Sequence, residues 1–249
     1  MEKIYSRTKT IQEDKVSGFC PGCMHSTVMK LIGEVLDEMG VIDKTLCCLG
    51  IGCCGLQMDY IAYDNITSPH GRACAVATGV KRSNPDTLVY TYQGDGDFAS
   101  IGLAETMSAA NRGENFTVIF VNNGIYGMTG GQMAPTTLVG MNATTAPGGR
   151  DPKVHGYPMH ICEILNQLTA PYYLERVSCN TPQNVIKTRK AIKKAFQYQM
   201  EGKGFSLVEI VTSCPTNWGL SSLDSLKFLE EKMFAEYPLG LVRDKGAEK

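Results

Sequence analysis

Short apolar runs alternate along this chain with stretches whose apolar residues recur at helical spacing. Four runs are rich in branched or aromatic residues and end at Gly, Asn, Ser or Pro, which predicts buried strands at residues 45–51, 88–93, 116–122 and 205–212. The helical spacing predicts further elements at residues 73–80, 101–110, 161–168 and 184–200. Strands that alternate with helices predict an α/β fold, in which helices cover both faces of a mostly parallel sheet.

The first helix has the clearest pattern. Ser26 is its predicted N-cap and Gly40 its predicted C-cap, and one apolar stripe lies between them, formed by Val28, Leu31, Ile32, Val35, Leu36 and Met39. Residues 124–157, in contrast, have no sustained period and are rich in Gly, Thr, Pro and Met. A loop this long is usually functional or disordered, and its position straight after a strand end favours function.

The composition excludes several classes of protein. The 249 residues are 43% hydrophobic and 20% charged, with a formal net charge of −1, and no basic run could serve as a nucleic-acid footprint. The most apolar run, residues 116–121, is far shorter than the ~20 residues of a membrane-spanning helix. Residues 1–7 lack the apolar core of a signal peptide. We therefore expect a cytoplasmic protein without nucleic-acid or membrane partners.

Two turns that follow predicted strands carry metal-ligand chemistry. The first is Gly94-Asp95-Gly96-Asp97, which precedes a helix, and the second is Asn122-Asn123. Glycines and helix N-terminal amides let a backbone approach a diphosphate, and a divalent cation allows a carboxylate such as Asp95 to lie beside that anion. Both turns could also be ordinary turns, since Gly, Asp and Asn are common in them. Their position at the carboxyl ends of strands favours a ligand site.

Ten cysteines are many for a chain of this size in a reducing compartment, and clustering there suggests metal or redox chemistry. They are Cys20, Cys23, Cys47, Cys48, Cys53, Cys54, Cys74, Cys162, Cys179 and Cys214. Cys-Pro-Gly-Cys precedes the first helix, Gly-Ile-Gly-Cys-Cys follows the first strand and Ser-Cys-Pro-Thr follows the last. Four thiolates from these three loops could hold Zn²⁺ or a [4Fe–4S] cluster, and spacing does not separate the two. Cys74, Cys162 and Cys179 are interpreted as core or surface residues.

Seven motifs in order resemble one family over roughly residues 18–220. They are Cys-Pro-Gly-Cys, Gly-Ile-Gly-Cys, His-Gly-Arg-Ala, Gly-Val-Lys, Gly-Asp-Gly-Asp with Ile-Gly, Asn-Asn-Gly-Ile-Tyr-Gly-Met-Thr-Gly-Gly-Gln and Cys-Pro-Thr. This sequence resembles the β subunit of 2-oxoacid:ferredoxin oxidoreductases, which bind thiamine diphosphate through Gly-Asp-Gly and Asn-Asn. The resemblance implies the pyrophosphate-domain fold of thiamine-diphosphate enzymes. It implies one domain over residues 1–249, with an N-terminal Cys-x-x-Cys segment and a helical tail from about residue 222 to residue 249.

The resemblance also implies a set of site residues. Mg²⁺ ligands would be Asp95, Asn123 and the backbone carbonyl of Ile125, and cluster ligands would be Cys20, Cys23, Cys53 and Cys214. The cofactor would contact Ile51, Gly52, Cys53, Cys54, His70, Gly94, Asp95, Gly96, Asp97, Asn123, Ile125, Gly127, Met128 and Thr129. The loop over the cofactor would be shaped by Thr129, Gly130, Gly131 and Gln132.

Some residues depart from the family pattern or allow more than one interpretation. Met24 stands where many members have Gly, and Cys54 stands beside the third cluster ligand in place of a small hydroxyl residue, so Cys53 and Cys54 compete for that role. The strand residues Cys47 and Cys48 are interpreted as packing residues. His70 and Arg72 could contact the diphosphate or a partner subunit, or could cap the helix that begins near Arg72. Met128 could support the cofactor ring or fill a gap.

The function implied by the resemblance is the oxidative decarboxylation of a 2-oxoacid to acyl-CoA and CO₂, with reduction of ferredoxin. The activating Glu of the family lies on a separate domain, so we expect an α subunit and smaller cluster-carrying subunits. Leu56, three places after Cys53, stands where members that accept 2-oxoglutarate often have a basic residue, which favours 2-oxoisovalerate. The alternatives are 2-oxoglutarate as substrate, a non-oxidative thiamine-diphosphate enzyme and a non-catalytic iron–sulfur relay.

Overall fold

The computed structural model describes residues 8–247, so residues 1–7 and 248–249, with the predictions made for them, lie outside the description. Its strands are β1 Thr45–Leu49, β2 Asp64–Thr67, β3 Leu88–Gly94, β4 Thr117–Asn122, β5 Ile125–Tyr126, β6 Gln132–Met133, β7 Tyr173–Ser178, β8 Ser206–Val211 and β9 Gly240–Asp244. Its α-helices are α1 His25–Met39, α2 Ala73–Ser83, α3 Leu103–Arg112, α4 Pro152–His155, α5 Ile161–Asn166, α6 Pro182–Met200, α7 Pro215–Trp218, α8 Ser222–Phe228 and α9 Phe234–Glu236.

Seven of these strands form one sheet in the order β2-β1-β3-β4-β8-β7-β9. The first six pair in parallel, and β9 pairs with β7 in the antiparallel direction. The predicted α/β class with a mostly parallel sheet is therefore confirmed. The short pair of β5 and β6 lies outside the sheet, within the long segment of residues 124–157.

Side chains from alternate positions of the strands pack into two cores, one on each face of the sheet. On one face, α1 and α6 cover Tyr90, Tyr92 and Ile119. On the other face, α2, α3 and α5 cover Val118 and Phe120. Because both faces are covered, the central strands β3, β4 and β8 are buried along almost their whole length, which explains their continuous apolar runs in the sequence.

Some predicted boundaries differ from the structure. Ser26 is not the N-cap of α1, since Met24 occupies that position without a side-chain bond and the Ser26 hydroxyl donates to the Cys23 carbonyl. Gly40 does end α1, at a φ of 65°. The predicted helix at residues 101–110 begins as a π-helical segment, Gly96–Ile101, before α3.

The predicted helical tail of residues 222–249 is wrong beyond Glu236. Helical turns fill residues 222–236, and the chain then passes Pro238 and returns as β9 along the edge of the sheet. Pro238 cannot continue a helix because it lacks the backbone N–H. The Asp244 carboxylate in β9 accepts hydrogen bonds from Lys194 and Tyr198 of α6, which stabilises this edge strand.

The carboxyl ends of β1, β3, β4 and β8 are neighbours at one edge of the sheet. The register aligns Leu49 with Tyr92, Gly94 with Val121 and Asn122 with Val211. Each of these strands continues directly into one of the sequence motifs. The fold therefore brings together the turns that contain Cys53, Asp95, Asn123 and Cys214, although they are far apart in the sequence.

Candidate functional site

A cleft opens at this edge of the sheet. Every residue predicted to contact the cofactor lines this cofactor cleft, from Ile51 to Thr129. His25 and Tyr126, which the sequence did not single out, line it as well. A Cβ added at Gly52 or Gly94 would meet no other atom within 4 Å, so the backbone at these positions borders open space. The cleft thus has the glycine-lined wall that lets an anion approach the backbone.

Two side-chain oxygens that could bind a metal converge inside the cofactor cleft. Asp95 Oδ2 and Asn123 Oδ1 each accept a hydrogen bond from the Ile125 backbone N–H, at 3.1 and 3.1 Å. Both residues are buried, and Asp95 is only 2% exposed. One carboxylate oxygen and one neutral amide oxygen that face the same point form a hard-ligand pair of the kind that Mg²⁺ prefers.

A threonine that the sequence did not reveal orients the carboxylate of Asp95. The Thr136 hydroxyl donates to Asp95 Oδ2 at 2.7 Å, and the Gly96 N–H donates to Oδ1 at 2.9 Å. Burial raises the pKa of Asp95 to about 6, although these hydrogen bonds oppose the shift. Tyr237 in turn donates to the Thr136 carbonyl. The sequence gave little indication of this role, because Thr136 lies in the segment of residues 124–157, whose apolar residues follow neither helical nor strand spacing.

We predict that Thr136→Val weakens Mg²⁺-dependent binding of thiamine diphosphate by ~10–100-fold, the usual effect of removing a group that orients a metal ligand. Valine keeps the shape of threonine but removes the hydrogen bond to Asp95. Isothermal titration calorimetry with and without Mg²⁺ measures the effect. Thr144→Val in the exposed part of the same loop is the control, and equal affinities of the two variants would contradict the proposed role of Thr136.

Asp97 stabilises the wall of the cofactor cleft through hydrogen bonds to three neighbouring segments. Its Oδ1 accepts from the backbone N–H groups of Gly71, at 2.7 Å, and Ile51, at 3.3 Å, and its Oδ2 accepts from Gln93 Nε2 at 2.6 Å. His70 Nδ1 lies 2.5 Å from Oδ1, without the alignment of a hydrogen bond. Asp97 therefore ties the turns after β1 and β2 to β3, which leaves its carboxylate little capacity for a ligand.

Neither His70 nor Arg72 caps α2 through its side chain. Arg72 occupies the N-cap position without a side-chain bond, and its guanidinium pairs with Glu105 of α3. The side chain of His70 is 35% exposed and borders the cofactor cleft. The capping interpretation is wrong for both residues, and a role of His70 toward a ligand stays a prediction.

The turn after β3 requires glycine at position 96. A Cβ on Gly96 would lie 2.2 Å from a ring carbon of Tyr126, whose hydroxyl donates to the Gly96 carbonyl at 3.0 Å. The ring and the turn therefore pack directly against each other. This contact fixes the direction in which Asp95 enters the cofactor cleft.

We predict that Gly96→Ala destabilises the protein by about 1–3 kcal/mol, the usual cost of overpacking a tight contact. Gly148→Ala is the matched control, because a Cβ there would meet nothing within 4 Å. Urea unfolding of both variants measures the difference. Equal free energies of unfolding would show that the Tyr126 ring moves aside without cost.

Arg150 organises the long segment of residues 124–157, which the sequence predicted as a functional loop. Its buried guanidinium donates to six backbone carbonyls of this segment, those of Ala134, Pro135, Thr137, His155, Gly156 and Tyr157. Burial lowers the pKa of Arg150, although the nearby Tyr237 and Glu236 oppose the shift. At the start of the loop, the Thr129 hydroxyl donates to Gln132 Oε1 at 2.6 Å.

A second cleft adjoins the first. The four cysteines predicted to hold a metal, Cys20, Cys23, Cys53 and Cys214, all line this cysteine cleft, together with Leu56. Cys53 points toward the others, because its Sγ lies 3.4 Å from the position of a Cβ on Gly127, where the Cys214 Sγ lies 3.6 Å away. Cys54 is buried and absent from the lining. The geometry therefore favours Cys53 over Cys54.

The thiols of Cys23 and Cys53 are protonated in the unliganded chain. Burial is the main cause, and together with the proximity of the other cysteines it raises the pKa of Cys23 to about 12 and that of Cys53 to about 11. Among residues 8–247, no three His, Cys, Asp or Glu side chains are grouped closely enough to hold a single metal ion. The four cysteines line one cleft, and a metal group that binds them as thiolates must displace the thiol protons.

The segment after β8 connects the two clefts. Asn217 Nδ2 donates to the Gly127 carbonyl at 2.7 Å and lies 3.4 Å from Cys214 Sγ, and Trp218 Nε1 donates to the Asn123 carbonyl at 3.1 Å. The Cys-Pro-Thr motif of the sequence lies in this segment, but the motif did not predict a role for Asn217 or Trp218. Their side chains hold the cysteine turn against the turn that carries Asn123.

His25 is a further residue that sequence reasoning missed. It is 3% exposed, its Nδ1 lies 2.6 Å from the Tyr92 hydroxyl, and its ring stacks on Phe19 with centroids 5.3 Å apart. Burial lowers the pKa of His25 to about 4, so its ring is neutral at pH 7. His25 lines both clefts, as do Cys53, Asn123, Gly127 and Met128.

The remaining cysteines pack in the interior or at its margin. Cys47 and Cys48 are buried in β1, which agrees with their interpretation as packing residues, and Cys74 and Cys162 are buried as well. Cys179 is half-buried.

No helix in the described part of the chain has both the length and the apolar character that crossing a membrane requires.

Comparison with known proteins identifies the family. The profile described as the C-terminal TPP-binding domain of thiamine pyrophosphate enzymes matches residues 50–210. Ketoisovalerate oxidoreductase subunit VorA of Methanothermobacter thermautotrophicus is 49% identical over 230 residues, which are 92% of this chain and 48% of that protein. 2-Oxoglutarate synthase subunit KorB of Methanocaldococcus jannaschii is 35% identical over 235 residues, 92% of this chain and 83% of that protein. The chain spans about half the length of the ketoisovalerate oxidoreductase subunits that it matches.

A solved structure agrees with these relatives. One chain of 2-oxoglutarate:ferredoxin oxidoreductase from Magnetococcus marinus, with 2-oxoglutarate, coenzyme A and succinyl-CoA bound, superimposes with a TM-score of 0.76 at 26% identity. The match covers 96% of this chain and 89% of that chain. The chain described here belongs to the β subunit family of the 2-oxoacid:ferredoxin oxidoreductases and contains their thiamine pyrophosphate-binding domain.

Proposed function

We propose that this chain is the cofactor-binding β subunit of an enzyme that converts a 2-oxoacid and CoA to acyl-CoA and CO₂ and reduces ferredoxin. One observation carries the proposal. The cofactor cleft and the cysteine cleft share five residues, among them Cys53 and Asn123, so one wall serves both. Oxidative decarboxylation with a single-electron acceptor requires thiamine diphosphate to lie beside a redox cluster, because electrons must pass from one to the other.

The cofactor cleft fits a metal-bridged diphosphate. Gly52 and Gly94 border open space, and Asp95 and Asn123 would hold Mg²⁺ with the carbonyl of Ile125. When bound, thiamine diphosphate supplies the nucleophilic carbon that reacts with the 2-oxoacid carbonyl. The contribution of this chain is to neutralise the diphosphate through the metal, to orient Asp95 through Thr136 and to exclude water from the buried carboxylate.

The cysteine cleft fits a [4Fe–4S] cluster better than zinc. Zinc would draw four sulfur atoms to one point, with Zn–S distances of about 2.3 Å. Among the described residues no three potential ligands are grouped in this way, although the four cysteines line one cleft. Cys20, Cys23, Cys53 and Cys214 would hold the cluster as thiolates. This would place the first electron acceptor next to the cofactor.

The activity requires partner subunits in our proposal. Ile51 and Met128, at the mouth of the cofactor cleft, are 38% and 49% exposed, so this side of the cleft is uncovered in the isolated chain. An α subunit would supply the pyrimidine-binding domain and the activating Glu, further small subunits would carry additional clusters, and ferredoxin would accept the electrons. Expression of the chain with and without an α subunit tests this, and strong decarboxylation by the chain alone would contradict it.

We propose a branched aliphatic substrate such as 2-oxoisovalerate. Leu56 borders the cysteine cleft and presents an apolar side chain where a lysine could pair with a distal carboxylate. The relatives include both ketoisovalerate and 2-oxoglutarate enzymes, so 2-oxoglutarate is the alternative substrate. A kcat/KM that favours 2-oxoglutarate over 2-oxoisovalerate would reject the proposal.

We predict that Leu56→Lys shifts the ratio of kcat/KM toward 2-oxoglutarate by about tenfold, which corresponds to ~1.4 kcal/mol for one new charge pair. Steady-state assays of the complete complex with both acids measure the shift. Met58→Lys is the control, because Met58 is 47% exposed and borders neither cleft. If both variants change the ratio equally, the effect does not arise from a contact at position 56.

Anaerobic purification separates the remaining alternatives. A non-oxidative thiamine enzyme would contain thiamine diphosphate but no iron, and a pure electron relay would contain iron but no thiamine diphosphate. Our proposal requires both in the same complex. A cytoplasmic location remains a prediction from the sequence.

A further inference from the structure

His25 stands between the two clefts in a strictly defined orientation. Its ring is held on one side by the stacked ring of Phe19, at 5.3 Å between centroids, and at Nδ1 by the Tyr92 hydroxyl, at 2.6 Å. Tyr92 meets the imidazole edge-on, at an interplanar angle of 90°. The side chain is 3% exposed, so most of the ring is enclosed by the protein. Such restraint is expected of a residue that must present one atom to a ligand.

The hydrogen bond to Tyr92 determines the tautomer of His25. Within the described residues, His25 Nδ1 is the only hydrogen-bond partner of the Tyr92 hydroxyl, and Tyr92 is fully buried. A buried hydroxyl that leaves its hydrogen without an acceptor is costly, so Tyr92 donates and Nδ1 accepts. The proton of the neutral ring is then on Nε2, which makes Nε2 a hydrogen-bond donor.

This donor has no partner in residues 8–247. Nε2 makes no hydrogen bond there, and it is not among the polar atoms that are enclosed without a partner, so it borders open space. The open space beside His25 is that of the two clefts. The backbone N–H of His25 also contacts Cys23, one of the cysteines that line the cysteine cleft. His25 therefore lies against the cysteine cleft with a backbone N–H near Cys23 and a side-chain donor that has no partner among residues 8–247.

We propose that His25 donates a hydrogen bond from Nε2 to a sulfur atom of the iron–sulfur cluster and thereby raises the reduction potential of that cluster. The cluster gains negative charge on reduction, so a fixed donor stabilises the reduced form more than the oxidised form. His25 acts as a positioning and tuning residue, since it touches the electron acceptor and not the substrate. This inference rests on the proposed function, because it needs the cluster to be present.

The test uses the anaerobically purified complex with isotope-labelled histidine. Pulsed electron paramagnetic resonance of the reduced cluster should detect coupling to an imidazole nitrogen and to an exchangeable proton, and both should disappear in His25→Phe. A redox titration should give a more negative midpoint potential for His25→Phe. His25→Gln, which keeps an N–H donor, should restore the potential toward the wild-type value.

The results of these two measurements either support or overturn the role proposed for His25. A reduced cluster without histidine coupling in the wild-type complex overturns the inference, as does an unchanged midpoint potential in His25→Phe with full cluster content. If His25→Phe fails to assemble, the coupling in the wild-type complex and the potential of His25→Gln still decide. A complex that contains no cluster refutes the proposed function instead, so the two failures are distinguishable.

Discussion

Asp95→Asn is expected to weaken Mg²⁺-dependent binding of thiamine diphosphate by at least ~100-fold, beyond the effect of losing an orienting group. Asparagine keeps the size of the side chain but removes the negative charge that attracts the cation. Asp95 is also a costly carboxylate for the unliganded chain, because burial raises its pKa to about 6. Asparagine keeps an oxygen that can accept hydrogen bonds from the groups that now bond to Asp95, so we expect the variant to remain folded.

Calorimetric titration of the purified chain with thiamine diphosphate, with Mg²⁺ present or chelated, measures this loss. Asp43→Asn is the control, since Asp43 lies on the exposed helical turn before β1. Circular dichroism of both variants separates a binding defect from unfolding. Mg²⁺-dependent binding by Asp95→Asn at wild-type affinity would show that Asp95 is not a ligand.

Cys53→Ser is expected to remove the cluster, whereas the neighbouring Cys54→Ser is expected to keep it. Cys53 lies in the cysteine cleft with Cys214, and Cys54 is buried, with Asp97 and the Gly94 backbone among the groups around its thiol. Cys54 belongs to the hydrophobic core and does not line the cysteine cleft, so we expect it to serve as a packing residue. Serine matches cysteine in shape but is a poor ligand for iron, so the pair of variants separates ligation from packing.

Iron analysis and electron paramagnetic resonance of anaerobically purified complexes measure the outcome. Cys53→Ser should contain about four fewer iron atoms per chain than the wild type, and Cys54→Ser should match the wild type. The reverse pattern would assign the third ligand to Cys54. Equal loss in both variants would indicate that the local fold fails, not that a ligand is missing.

The sequence predicted the centre of the sheet well, because β1, β3, β4 and β8 are buried on both faces and read as continuous apolar runs. It missed the strands near the edges. β2 is exposed at every position and has no apolar pattern. β7 contains Arg176, whose charge is buried only because Glu209 and Glu163 neutralise it. A strand with a buried charge cannot be predicted from apolar spacing alone, because the oppositely charged residue that neutralises it lies in another strand.

The chemistry of the site followed from the sequence wherever a residue type carries one dominant role. Asp95, Asn123 and the cysteines belong to this group, and the structure brings them to two adjoining clefts. The residues that were missed act on other residues. Thr136 and Arg150 have no motif, since their partners are a carboxylate and backbone carbonyls that only the folded loop brings near. His25 adjoins a quoted motif, but its tautomer depends on Tyr92 in β3.

The content of the anaerobically purified complex tests the central claim most directly. The claim is that one wall of this chain separates a thiamine diphosphate site from an iron–sulfur site. Thiamine diphosphate should be present at one molecule per β subunit, together with iron for at least one cluster per β subunit. Asp95→Asn should remove the thiamine diphosphate, and Cys53→Ser should lower the iron content by about four atoms per β subunit. A complex in which thiamine diphosphate is bound at full occupancy, and Cys53→Ser leaves the iron content unchanged, would contradict the account.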